Sequence, residues 1–345
     1  MFISRKSVIF AHKFNQMKKN LDLQLSIIVP VYNVEKYIRP CFESIFNQGL
    51  NDTDFEIIIV NDGTKDKSME MIDDIISQHN NIRIINQKNQ GVSVARNNGI
   101  ATAKGNYILM PDSDDLLIKD SLKPLLEKAN QTQADIIVAD YLVMTDESIN
   151  DSQDLDQKDF NIIEITGEQL FLDHLNPYHC FVWRTLYRRQ FLISNNIKFY
   201  PGIRFQDIPF THECYLKALK TLRISWLLNI YRQWSGSSTG FFNLAKAKDF
   251  CTAIALTWKL NKMDLNPATT YKLQEDAWIA FSMMVRQTCL EIKNPSERLQ
   301  IIDYFIEEMP EINFHHGNKQ KFVSFLLRNV PHTFIRFCFY KLMYS

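Results

Sequence analysis

Residues 25–31, LSIIVPV, and residues 55–60, FEIIIV, decide how this chain folds. Each is a short apolar run rich in β-branched side chains, the pattern of a strand buried on both faces. Between them, Ile38, Phe42, Ile45 and Phe46 recur at helical spacing within residues 34–48. The alternation continues outward. Met69, Met71, Ile72, Ile75 and Ile76 predict a helix, residues 82–85 a third strand and residues 92–103 a helix. Residues 107–110 predict a fourth strand, 122–129 a helix and 135–139 (DIIVA) a fifth strand. Strands joined by single helices need right-handed crossovers, so the expected fold is α/β, a Rossmann-like, mainly parallel sheet flanked by helices. In such sheets ligands lie beyond the carboxyl ends of the strands, which directs attention to the residues just after each one.

Composition narrows the classes. The 345 residues suit one large domain with an appendage or two modest domains, and 46% apolar residues supply a core. Formal net charge is zero, which leaves no basic field for nucleic acid, so no nucleic-acid partner is expected. The six cysteines, at 41, 180, 214, 251, 289 and 338, form no CxxC pair. They read as reduced thiols in a cytoplasmic protein, acting as small buried hydrophobes. No run approaches the ~18 apolar residues of a spanning helix. Residues 1–22 are basic, with Arg5, Lys6, Lys13, Lys18 and Lys19, and lack the apolar core of a signal peptide. They are expected to be a poorly ordered arm, or an extension upstream of a start at Met17.

The first strand leads into Pro30-Val31-Tyr32-Asn33, with neither GxGxxG nor a Gly-rich basic loop. Pro30 is expected to end the ladder there. Asn61-Asp62-Gly63-Thr64 follows the second strand. An acid at that edge can accept hydrogen bonds from a nucleobase or ribose, and the same residues are ordinary turn formers. Pro111-Asp112-Ser113-Asp114-Asp115 follows the fourth. Clustered carboxylates repel without a counter-ion. In an extended segment Asp112 and Asp114 point to one side. That suits Mg²⁺ or Mn²⁺, held by one or two carboxylates plus substrate phosphates. The alternative is that these acids cap the next helix. Arg96, in NQGVSVARNNGI, faces a phosphate or pairs with a carboxylate.

In order, SIIVPVYNVEKYI, IIIVNDGTKDKS, NQGVSVARNNGI and YILMPDSDD resemble the motifs of a family 2 glycosyltransferase of the GT-A fold, from Ser26 to Asp115. The resemblance implies that Pro30 and Tyr32 cup a nucleobase and that Asp62 contacts base or ribose. It implies that Asp112 and Asp114 form the metal-binding DXD pair, with Asp114 the direct ligand. It also implies an inverting transfer from a nucleotide sugar, a UDP-sugar being the expected donor, to a saccharide or lipid-linked glycan in bacterial surface-polysaccharide synthesis. The family's general base falls on Asp207 in PGIRFQDIPF, where Gln206 replaces the usual glutamate. Asp207 also fits an N-cap for a helix over 208–219. Trp183 stacks on a sugar or belongs to the core. Arg232, in YRQWSGSST, is placed to reach the diphosphate.

The expected layout is a GT-A domain over residues 23–240 and a helical C-terminal region over 241–345. No acid follows Glu311, while Lys319, Lys321, Arg328, Arg336 and Lys341 alternate with Phe322, Phe325, Phe334, Phe337 and Phe339. Such a helix lies on the inner face of the cytoplasmic membrane or packs with its basic face outward. Gln206 is the one feature that favours the alternative of an inactive nucleotide-sugar-binding subunit. A nucleotidyltransferase is disfavoured by the missing Gly-rich first loop.

Overall fold

The structure is a computed structural model and describes residues 23–146, 157, 160–177, 179–234 and 241–329. The expected basic arm over 1–22 lies outside them. In chain order the elements are β1 (Leu25–Val31), α1 (Ile38–Phe46), β2 (Phe55–Asn61), α2 (Asp73–Gln78), β3 (Ile82–Asn86), α3 (Val92–Thr102) and β4 (Tyr107–Leu109). There follow β5 (Leu116–Leu117), α4 (Leu122–Thr132), β6 (Ile136–Thr145), β7 (Asn161–Ile165), α5 (Gly167–His174), β8 (Thr185–Arg188) and α6 (Arg189–Ser194). The last are α7 (Asp207–Lys217), β9 (Thr221–Gln233), α8 (Leu244–Lys259), α9 (Pro267–Glu291), α10 (Pro295–Glu308) and α11 (Asn318–Asn329).

These elements group into two compact units that interleave along the sequence. The first comprises residues up to 164, 183–196 and 221–233; the second comprises 165–182, 197–220 and the chain from 234 on. The expected boundary at 240 therefore differs from the packing. Helices α5 and α7 group with the C-terminal helices, because both pack on elements of that unit.

The first unit holds one sheet in the order β3-β2-β1-β4-β8-β6-β9-β5, with β7 on β9. Strands β3, β2, β1 and β4 are mutually parallel, with Ile27 beside Ile57 on one side and Leu109 on the other. Strand β8 then runs antiparallel to both β4 and β6, and β5 antiparallel to β9, while β6 and β9 pair in parallel, so the mainly parallel sheet carries short antiparallel insertions. β8 re-enters the sheet after residues 165–182, which belong to the other unit, and not through the helical crossover that a parallel strand requires. The central strands bury both faces: every residue of β1 is buried. Ile27, Val29, Ile57 and Ile59 pack with Phe42 and Ile45 of α1 and Leu125 of α4.

Helix α1 starts at residue 38, not 34. Asn33 takes a left-handed backbone (φ 53°), and the amides of Val34 and Glu35 are claimed by Ser68 and Asp66 before the helical ladder begins. In the second unit, α8, α9 and α10 enclose an aromatic core of Phe250, Phe281, Phe305 and Phe314. Helix α5 opens with a capping box between Thr166 and Gln169, which satisfies two amides of its first turn. No helix among the described residues is long and apolar enough to cross a membrane.

Candidate functional site

The carboxyl ends of β1 and β2 lie side by side, so the loops that leave them form one rim. Pro30 does not end the ladder: it sits in register with Val60, and β1 continues to Val31 opposite Asn61. Proline is tolerated because β4 pairs only with residues 25–27, so no ladder amide is needed from residue 30 on that side. Tyr32 emerges at the rim with 41% of its surface exposed.

Asp62 lies one residue beyond β2 and is only 3% exposed. Its Oδ1 accepts from Gln87 Nε2 (2.7 Å) and from the backbone of Gln90 (2.8 Å), and its Oδ2 from the backbone of Gly91 (2.9 Å). The acid thus anchors the loop before α3. A carboxylate offers about four lone-pair positions, so Asp62 keeps one for a further donor. Gly91 adopts φ 86°, a conformation glycine reaches without strain, which turns its amide toward Asp62.

The acidic segment is a turn, not an extended strand. Asp115 donates its amide to the carbonyl of Asp112 (3.1 Å), and β5 follows at once. The next helix begins only at Leu122, so none of these acids caps it. Asp112 and Asp114 are nonetheless half-exposed, while Ser113 and Asp115 are buried between and beside them. Arg96, buried on α3, pairs with Oδ1 of Asp112. Of the two readings open for Arg96, carboxylate pairing is the one the structure displays. Asp115 is 1% exposed. Burial, reinforced by the charges of Asp112 and Asp114, pushes its carboxyl up to about 9.

Arg232, in β9, grips this turn. Its backbone amide donates to Asp115 Oδ1 (2.9 Å) and its Nε to the carbonyl of Asp114 (2.9 Å). Its guanidinium also pairs with Asp146 (2.7 Å) and stacks over the ring of Tyr37 (4.9 Å). The side chain expected to reach a diphosphate is therefore largely engaged with protein. Its continuation over 235–240 lies outside the described residues.

Two half-exposed carboxylates on one turn fit a hard divalent cation that completes its shell with water and phosphate oxygens. Among the described residues no group of three or more His, Cys, Asp and Glu could form an all-protein site. Arg96 neutralises one oxygen of Asp112.

Asp207 belongs to the second unit. It is the first residue of α7 and half-exposed; Gln206 occupies the N-cap position without a side-chain cap bond. Asp207 is thus a first-turn acid, not the cap. Trp183 is 3% exposed, stacked on Tyr231 (5.7 Å) and edge-on to Tyr141 (5.0 Å), so it belongs to the core.

Sequence reasoning passed over Tyr37, Asp66 and Asp146. Asp146 falls in a polar stretch that reads as loop. For Asp66 the available signal was the pair of hydroxyl residues, Thr64 and Ser68, two positions to either side.

Residues 26–194 match the family described as Glycosyl transferase family 2. The chain is 38% identical over 217 residues to EpsJ, an uncharacterized glycosyltransferase of Bacillus subtilis (strain 168), a match covering 62% of each chain. It is 31% identical over 231 residues to the glycosyltransferase GlyG of Streptococcus pneumoniae serotype 4, covering 65% of this chain and 76% of GlyG. In fold it is similar to S. aureus TarS 1–349 in complex with UDP-GlcNAc, with a TM-score of 0.68, 23% identity, and coverage of 84% of this chain and 82% of that one. The fold is of the GT-A type, and the chain belongs to glycosyl transferase family 2.

Proposed function

We propose that this chain is an inverting, metal-dependent glycosyltransferase that moves a sugar from a UDP-sugar to a saccharide or lipid-linked glycan in bacterial surface-polysaccharide synthesis. The observation that carries the reading is the rim itself. Asp62 has one unfilled acceptor position beside the exposed Tyr32, and Asp112 and Asp114 are held half-exposed by Arg96 and Arg232. Family membership and the UDP-GlcNAc complex of the TarS neighbour support the donor class.

In this reading Asp62 accepts one hydrogen bond from base or ribose, and Tyr32 and Pro30 wall the base. Asp114, with Asp112, would hold Mn²⁺ or Mg²⁺, which supplies charge neutralisation for the departing nucleoside diphosphate. The acceptor hydroxyl attacks the anomeric carbon opposite the nucleotide, the carbon–oxygen bond to the diphosphate breaks, and Asp207 takes the hydroxyl proton. A positioned carboxylate base contributes about 10²–10⁴-fold. Helix α11 packs through Ser324 and Leu327 and turns Phe322 and Phe325 outward beside Lys319 and Lys321, a face suited to peripheral contact with the inner face of the cytoplasmic membrane.

The test is release of nucleoside diphosphate from a panel of nucleotide sugars with Mn²⁺ or Mg²⁺, for wild type, Asp114→Ala and Asp207→Asn. Turnover of one donor that both substitutions abolish supports donor class, metal pair and base together. Metal-dependent binding without turnover, even with lipid-linked acceptors added, would instead favour a binding subunit.

A further inference from the structure

We infer that Asp66 is a positioning residue that sets the conformation of the nucleobase loop, and through it nucleotide affinity. This rests on the reading of Tyr32 as a wall of the donor site. The three amides that follow Tyr32 all lead to one carboxylate. Glu35 donates its amide directly to Asp66 Oδ2 (2.9 Å). Asn33 donates to Thr64 Oγ1 (2.8 Å), whose hydroxyl donates to Asp66 Oδ1 (2.7 Å). Val34 donates to Ser68 Oγ (2.9 Å), whose hydroxyl donates to the same Oδ1 (2.5 Å). The amide of Ser68 supplies a third bond to that oxygen (3.1 Å), the fourth to the carboxylate. Two return bonds close the loops on each other, from Lys65 N to Asn33 Oδ1 (3.3 Å) and from Lys67 N to Glu35 Oε2 (3.0 Å).

The donors that reach the two acids on this rim differ. Asp62 receives three donors, none of them from the Tyr32 loop, whereas Asp66 receives four, three crowded on Oδ1 and the Glu35 amide on Oδ2. These hydrogen bonds hold the Asp66 carboxyl below the ordinary range against the opposing effect of burial, so it stays ionised at neutral pH. Serially linked donors strengthen one another. The left-handed Asn33 (φ 53°) is held in place by the same bonds. A loop ordered before the ligand arrives spares the ordering cost at binding.

The experiment is calorimetric titration of the full chain with UDP, GDP or dTDP, whichever wild type binds most tightly, for Tyr32→Ala, Asp66→Asn and the double variant. Asp66→Asn keeps an acceptor for Thr64 and Ser68 but turns an amide group on Glu35 N–H. It should melt within a few degrees of wild type and weaken binding about tenfold, the loss of one charged hydrogen bond. Exchange of the amides of residues 33–35 should speed up. Ser68→Ala, a smaller change, should act the same way. The mark of positioning is that the double variant binds no more weakly than Tyr32→Ala alone. Additive losses, or wild-type affinity in both Asp66→Asn and Ser68→Ala while Tyr32→Ala is impaired, would overturn the inference and leave the donor-site reading standing. Absence of nucleotide binding, or indifference to Tyr32→Ala, would overturn both.

Discussion

The guanidinium Nε of Arg232 donates to the backbone carbonyl of Asp114 at 2.9 Å, so β9 holds the acidic turn by its main chain. The amide of the same arginine is bound by Asp115, which fixes the turn at two adjacent residues.

Arg232→Lys keeps a cation for Asp146 but cannot reproduce the planar fork that reaches the carbonyl. Loss of this buried bond should cost about 1–3 kcal/mol in urea unfolding. Activity should need about tenfold more Mn²⁺, because the turn no longer presents its carboxylates in one geometry. A variant with unchanged metal dependence but weaker UDP binding would instead place Arg232 on the diphosphate.

Arg96→Met fills a similar volume without the charge. Arg96 is buried, whereas its partner Asp112 is 34% exposed and can be rehydrated. The expected loss is therefore about 2 kcal/mol, below the 3–5 typical of a pair buried on both sides. Urea unfolding checks it. Intact stability with lost diphosphate affinity would return Arg96 to the phosphate role.

Two glycines in the first unit should differ in how badly they accept a methyl group. A Cβ at Gly99 would lie 2.3 Å from Ile28 Cγ2, a methyl on a buried β-branched side chain that must shift to make room. At Gly105 it would lie 2.4 Å from the backbone of Leu25 and Ser26, which cannot move without shifting β1. Gly99→Ala should cost about 1–3 kcal/mol and Gly105→Ala more, to the point of low soluble yield. Equal, small shifts in melting temperature would show that β1 gives way.

The outward pair Phe322 and Phe325 supports the proposed membrane contact, each being more than half exposed. Phe322→Ser/Phe325→Ser should reduce flotation with anionic vesicles about tenfold and leave donor turnover in solution unchanged. Equal, negligible flotation of both proteins would end that idea.

Much of the fold was legible in local pattern. Strands buried on both faces print continuous apolar runs, so β1 and β2 were read within a residue of their observed ends. Asp62, Asp112 and Asp114 could be singled out because topology puts the ends of parallel strands on one edge. The start of α1 could not be read to the residue, since the Val34 carbonyl already accepts from Ile38 while the amides of Val34 and Glu35 are bound by Ser68 and Asp66, more than 30 positions away. The shape of the acidic turn, the grip of Arg232 and the pairing of Arg96 likewise depend on partners from other elements.

What the sequence determined by itself was periodicity, hence element type, the parallel core and the edge where the chemistry is to be sought, because these follow from near neighbours and burial. Tertiary structure alone decided which units the later helices join, that β8 enters antiparallel, and which polar atoms are already satisfied. A buried amide, carboxylate or guanidinium binds the donor or acceptor that chain closure brings to it, and closure over tens of residues leaves no local mark.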